Sequence, residues 1–155
     1  MVAYSFKPQF VEPIRWGLGL GLDIADGVVA PKRQTIRAIG KKRHAREGEM
    51  LQLYTGMRTK QCRQIGTARC VSVKPILLDL ENKIIETGGV RIPRRHLDNF
   101  ARDDGFAHFE DMRDFWRETH GLGYFKGIII KWEPTADIPH DPTIRGRDGT
   151  PKRRR

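Results

Sequence analysis

Residues 32–63 read KRQTIRAIGKKRHAREGEMLQLYTGMRTKQCR, and the fold is most legible in this stretch. Two short β-prone runs, 34–37 and 50–54, stand between charged loops that contain Gly40, Gly48 and Gly56. A disordered basic arm would lack such runs, so the charges around them are expected on a folded surface that can carry a groove. Ten cations occur here: Lys32, Arg33, Arg37, Lys41, Lys42, Arg43, Arg46, Arg58, Lys60 and Arg63. Against them stand Glu47 and Glu49, giving +8 of the whole chain's +10. Charge concentrated in this way is what a phosphate backbone attracts.

Working outward, residues 2–6 read as a strand stopped by Lys7 and Pro8, and 10–16 as a short helix with Pro13 near its first turn. Residues 34–38, 50–55 and 61–73 have the β-branched, alternating content of strands, with a turn at Gly56 and a bulge at Gly66. Residues 75–80 and 83–92 form a further strand pair joined through Glu81 and Asn82 and broken at Gly88 and Gly89. Helices are expected over 94–102 and 108–119. The second sets Phe109, Met112, Phe115 and Trp116 on one core-facing stripe. Residues 124–132 supply a last strand. Many short strands with three short helices predict an α+β barrel rather than a βαβ fold. Cys62 and Cys70 share strand parity and read as small barrel residues.

The rest of the chain sets bounds. At 155 residues it suits one domain, here 1–133, and a pI near 10.1 points to a polyanionic partner. A membrane surface would want a basic amphipathic helix, and the cluster follows no helical period. No apolar run approaches the ~20 residues of a membrane span, and the N-terminus is too polar for a secretory signal. Two cysteines without a metal-binding spacing fit a reducing, cytoplasmic setting. Residues 17–27 superficially resemble a dinucleotide fingerprint, but a helical pattern precedes them and Pro31 follows, so a flexible insertion or partner-binding loop is expected. Residues 134–155 contain four prolines, no apolar period and a net +3, the composition of a disordered basic tail.

The pattern Lys-x-x-Thr-Ile-Arg at 32–37, Gly48 and Leu51 at the start of a strand, the run Ala101-Arg-Asp-Asp-Gly-Phe106, an aromatic helix and a strand ending Ile130-Lys131-Trp132 resemble an ASCH (activating signal cointegrator homology) domain of the PUA-like superfold. The resemblance covers about residues 2–132. It implies a central β-barrel flanked by short helices, with a cleft lined by the Lys-x-x-Thr-Ile-Arg segment. Such domains commonly bind RNA; some small members cleave single-stranded RNA, and others are amidohydrolases acting on N4-acylated cytidine. By motif position, the Lys, Thr and carboxylate of the amidohydrolases correspond to Lys32, Thr35 and Asp104, with Asp103 alongside. Two departures matter: the 17–27 loop precedes the motif, and the carboxylate is Asp rather than Glu, shorter by one methylene.

From the residues themselves, Lys32 and Thr35 would diverge on a strand and converge at a loop-to-strand turn. Converged, Lys32 activates the Thr35 hydroxyl or holds a developing oxyanion; otherwise Lys32 grips phosphate beside a strand Thr. Asp103 and Asp104 read equally as a polar helix end capped by Gly105. Tyr54 is a base-stacking ring or a core tyrosine, while Arg33, Arg37, Lys41, Lys42, Arg43, Arg58, Lys60, Arg63 and Lys126 suit phosphate contacts. The five histidines show no metal-ligand spacing. The expected function is single-stranded RNA binding, with slow cleavage through the 2′-hydroxyl as an added activity. Nucleoside deacylation and a non-catalytic adaptor role are the alternatives. No cofactor is expected, and any magnesium dependence would act through RNA.

Overall fold

The computed structural model describes residues 1–20 and 30–135. Its strands are β1 (Val2–Phe6), β2 (Gln34–Ala38), β3 (Met50–Thr55), β4 (Arg63–Asp79), β5 (Ile84–Thr87), β6 (Val90–Arg91) and β7 (Phe125–Pro134). Three short helices accompany them: α1 (Val11–Gly17), α2 (Leu97–Asp103) and α3 (Phe109–Thr119). The 17–27 loop beyond Leu20 and the 136–155 tail lie outside the described residues. No described helix is long and apolar enough to cross a membrane.

All seven strands belong to one sheet, so the class is α+β. β1 pairs parallel with β3, and β3, β4, β7 and β2 continue antiparallel, with β5 and β6 beside the second half of β4. Among the described residues no ladder joins β1 to β2, so the backbone pairing does not close into the expected barrel. Side chains bridge that seam instead. Arg37 Nη2 donates to the Ser5 carbonyl at 2.8 Å, and Tyr4 reaches the Ala38 carbonyl through His44, with contacts of 3.0 and 2.8 Å.

β4 corrects one expectation. The two strands foreseen on either side of Lys74 are one, running through Pro75. The Pro75 carbonyl accepts from Gly88 N on the β5 side, so the missing N–H would also have faced that edge. Pro75 lies opposite Gly88, one residue past the β4–β5 ladder that begins at Ile76, so its missing N–H falls at the ladder's end and not within it. A bulge does occur beside Gly66: Leu53 faces Gly66 and Tyr54 faces Gln64, leaving Ile65 as the extra residue. Cys62 is exposed and precedes β4, and only Cys70 is a buried barrel-type residue. The helix foreseen over 94–102 divides into a 3-10 turn, Arg94–His96, and α2.

The core joins both sheet and helices: Leu51, Leu53, Ala68 and Ile130 are fully buried, as are Ile14 of α1 and Met112 of α3. Phe109, Met112 and Trp116 form the foreseen stripe, with Phe115 half-buried at its edge. α3 starts on a reciprocal pair, His108 N donating to Asp111 Oδ2 at 3.1 Å, and Asp98 of α2 accepts from Phe109 N at 2.8 Å. These bonds satisfy donors that a helix start leaves open. They also lock α2 and α3 together.

Gly127 fixes how closely β2 lies on β7. A Cβ there would overlap the Arg37 carbonyl and come within 2.7 Å of the Phe125 ring. Gly127→Ala is therefore expected to destabilise the protein by about 1–3 kcal/mol, lowering the melting point by about 2–10 °C in a thermal scan. An unchanged melting point would show that β2 is not held this close.

Candidate functional site

Lys32 lies just before β2, where its backbone N–H is held by the Pro13 carbonyl of α1 at 2.9 Å. The next residue, Arg33, donates its N–H to the Asp103 carbonyl at 2.8 Å and accepts from Trp132 N at 3.0 Å. The chain therefore enters β2 pinned to α1, to the end of α2 and to β7. Lys32 and Thr35 line one cavity of about 230 Å³, together with Asp104 and Arg37.

Asp104 reaches that cavity because α2 stops there. Gly105 has φ of 95° and Phe106 N returns to the Ala101 carbonyl at 2.9 Å, a left-handed helix end. A side chain there is disfavoured both by this φ and by crowding, since a Cβ on Gly105 would sit 3.2 Å from Lys32 Cδ. Lys32 Nζ donates to the Asp104 carbonyl at 2.7 Å and lies 3.4 Å from its Oδ1, while Gln34 Nε2 approaches the same Oδ1 at 3.4 Å. Lys32 and Asp104 are 3% and 5% exposed, which makes this a buried ion pair. Burial lowers the Lys32 pKa and raises that of Asp104, and each partner opposes the other's shift. Such shifts occur both at structural buried pairs and at acid–base sites.

Arg37 is not a free phosphate contact, as the sequence reading had it. Its guanidinium packs against the Tyr4 and Phe6 rings, 5.1 and 4.8 Å from their centres, and its Nε donates to Thr35 Oγ1 at 3.0 Å. With that lone pair engaged, the Thr35 hydroxyl hydrogen is free to point elsewhere. Lys32 is likewise unavailable as a surface phosphate grip: its ammonium faces Asp104 and the Phe10 ring, 4.6 Å from the centre.

The other walls are aromatic: Phe6 and Phe10 from the β1–α1 segment, Phe115, Trp116 and His120 from α3 and its end, and Phe125 from β7. Sequence reasoning missed this wall. Phe115 and Trp116 were legible only as core, and Phe6, Phe10 and Phe125 had no period connecting them. Burial and nearby Lys7 lower the His120 pKa, favouring the neutral ring. Gln34 was also missed. It is fully buried, with its Oε1 unpartnered among the described residues.

The cations foreseen for phosphate divide. Arg33, Lys41, Lys42, Arg58, Lys60, Arg63 and Lys126 are exposed. Arg58 and Lys60 occupy the β3–β4 turn, which Met57 N ties to Ser5 Oγ at 3.2 Å, beside the cavity. Arg43 departs from the expectation: its Nη1 donates to Glu49 Oε1 at 2.9 Å. Glu49 also holds the N-terminal ammonium at 3.0 Å, and these partners keep its carboxyl well below the usual range. Tyr54 is half-buried on the β3 face opposite Leu53 and in register with Ser5. Among the described residues no group of His, Cys, Asp and Glu is arranged to hold a metal ion. No protein-family model matches the chain, and no curated protein or solved structure matches it.

Proposed function

We propose that this chain is an ASCH-like, PUA-like protein that binds single-stranded RNA, taking one unstacked base into the cavity between β1, β2 and α3. The observation that carries the reading is an aromatic-walled cavity, lined also by exposed Lys7, whose wall residues connect directly to exposed cations: Phe125 to Lys126 in sequence, and Ser5 to the Arg58–Lys60 turn through Met57 N. At about 230 Å³ the cavity is smaller than the roughly 300–1,000 Å³ of drug-sized ligand sites, and so suits one base rather than a stacked run. Aromatic faces accept any base, and the exposed cations serve the phosphates on either side. The sheet is open between β1 and β2, and on this reading the base enters along that seam.

The test is affinity for single-stranded RNA across a salt series. Four to six contacts from the exposed set Lys41, Lys42, Arg58, Lys60, Arg63 and Lys126 are expected to give a log–log slope of about −3 to −4, at about −0.7 per contact. A slope near zero, or no binding at low salt, would refute the RNA reading.

A second reading rests on the convergence of Lys32, Thr35 and Asp104 in one cavity. In it the protein removes the acyl group from an N4-acylcytidine-type nucleoside. Thr35 Oγ1 attacks the acyl carbon, the Lys32–Asp104 pair takes up the hydroxyl proton and returns it to the leaving amine, and water then releases the acid. Cleavage of RNA through its 2′-hydroxyl has less support, because Lys32 faces Asp104 and the Phe10 ring rather than a surface groove.

A further inference from the structure

Tyr124 is 74% exposed and Ile39 is 71% exposed, although each adjoins a residue of the cavity wall: Phe125 follows the first and Ala38 precedes the second. The β2–β7 ladder ends with Ala38 facing Gly127, so Ile39 is the first residue beyond it on one strand and Lys126 on the other. Tyr124 lies three residues before Gly127, about 10 Å along an extended chain.

Lys41, Lys42 and Lys126 are exposed, and none takes part in an ion pair among the described residues. On the other side of β7, Leu78 faces Phe125, which makes Asp79 the nearest acid by register. Asp79 is buried, and its carboxylate is taken up by Asn82, with Nδ2 at 2.9 Å from Oδ2. Exposed Tyr124 and Lys126 thus flank Phe125 of the cavity wall in sequence, and exposed Ile39, Lys41 and Lys42 follow Ala38 of the same wall.

We infer that Tyr124, backed by Ile39, is a stacking platform for the nucleotide next to the one whose base enters the cavity, with Lys41, Lys42 and Lys126 on the flanking phosphates. This rests on the RNA-binding reading above and extends it to a second base position. A flat ring stacks on any base, so the platform adds affinity without fixing sequence. It makes binding depend on at least two consecutive nucleotides.

The test measures Kd for an eight-nucleotide single-stranded RNA and for a single nucleoside monophosphate, with wild type, Tyr124→Ala and Tyr124→Phe. Tyr124→Ala is expected to weaken octamer binding about 5–150-fold, as for loss of one stacking ring, with an unchanged salt slope because no cation is removed. Tyr124→Phe keeps the ring and should stay within about twofold of wild type, on the same stacking argument. Mononucleotide affinity should be the same in all three. Wild-type octamer affinity in Tyr124→Ala, an equal loss in Tyr124→Phe, or a parallel loss of mononucleotide binding would each overturn the platform and leave the cavity reading standing. Failure of the wild-type protein to bind the octamer would overturn both.

Discussion

Asp104→Asn is expected to destabilise the protein by about 3–5 kcal/mol at neutral pH, the usual consequence of removing one partner from a buried ion pair. The substitution keeps the size of the side chain and removes its charge. Lys32, 3% exposed, would then keep only the carbonyl of residue 104 as a polar partner among those it now has. The pH dependence gives a second signature. Burial already lowers the Lys32 pKa from 10.5, and Asp104 is the first of the causes that hold it up. In the variant the folded-state pKa falls further, while the unfolded chain keeps the ordinary value. Between those two values the unfolded chain binds more protons, so stability rises with pH across that window and the deficit shrinks toward pH 10. Wild type carries the opposite contribution from Asp104: its raised pKa gives stability that is full below 3.8 and is lost as pH rises through the folded value. Denaturant unfolding at several pH values measures both effects. Lys32→Met combined with Asp104→Leu should be more stable than either single change, because no unpaired charge stays buried. A neutral-pH midpoint for Asp104→Asn equal to wild type would show that the two groups are not a buried pair.

Most of the strand and helix pattern was legible because it is local. Alternation in Met50–Thr55 and the apolar stripe of Phe109–Thr119 report their own burial. Gly105 and Gly88 marked chain reversals that only a positive φ permits. What escaped depends on pairing at a distance. In sequence Pro75 reads as the start of a second strand, whereas β4 runs through it; that is tolerated because β5 ends at Thr87, opposite Ile76, one residue short of Pro75. Barrel closure was inferred from the number of strands, whereas the β1–β2 seam is a matter of which edges meet. At the site, Lys32, Thr35 and Asp104 came from the motif pattern, and the fold brings them to one cavity. The fate of the cations was not legible. Arg37 and Arg43 look alike in sequence to Lys41 and Lys42, yet Thr35 and Ser5 occupy the first and Glu49 the second. Composition counts charges; it does not say which are already paired.

On the deacylation reading, Thr35→Val is expected to abolish turnover of N4-acetylcytidine, because the hydroxyl it deletes is the nucleophile. The position makes this a clean substitution. Thr35 is 4% exposed on a strand opposite Ile130, where valine matches its shape and its β preference. The hydroxyl alone is lost, and with it the acceptor for Arg37 Nε at 3.0 Å. That unpaired donor is expected to reduce stability by about 1–3 kcal/mol, so turnover must be read well below the variant's melting temperature. Lys32→Ala would be a poorer test, because it also breaks the buried pair. RNA binding provides the internal control. The Thr35 hydroxyl is one polar atom in a cavity walled mainly by rings, so octamer affinity should change by no more than about tenfold, the worth of one hydrogen bond. Loss of deacylation with binding preserved would assign Thr35 to the chemistry. Deacylation unchanged in Thr35→Val would remove it as nucleophile. A wild-type protein that binds RNA and releases no acetate would leave the Lys32–Asp104 pair a structural element beneath a base-binding cavity.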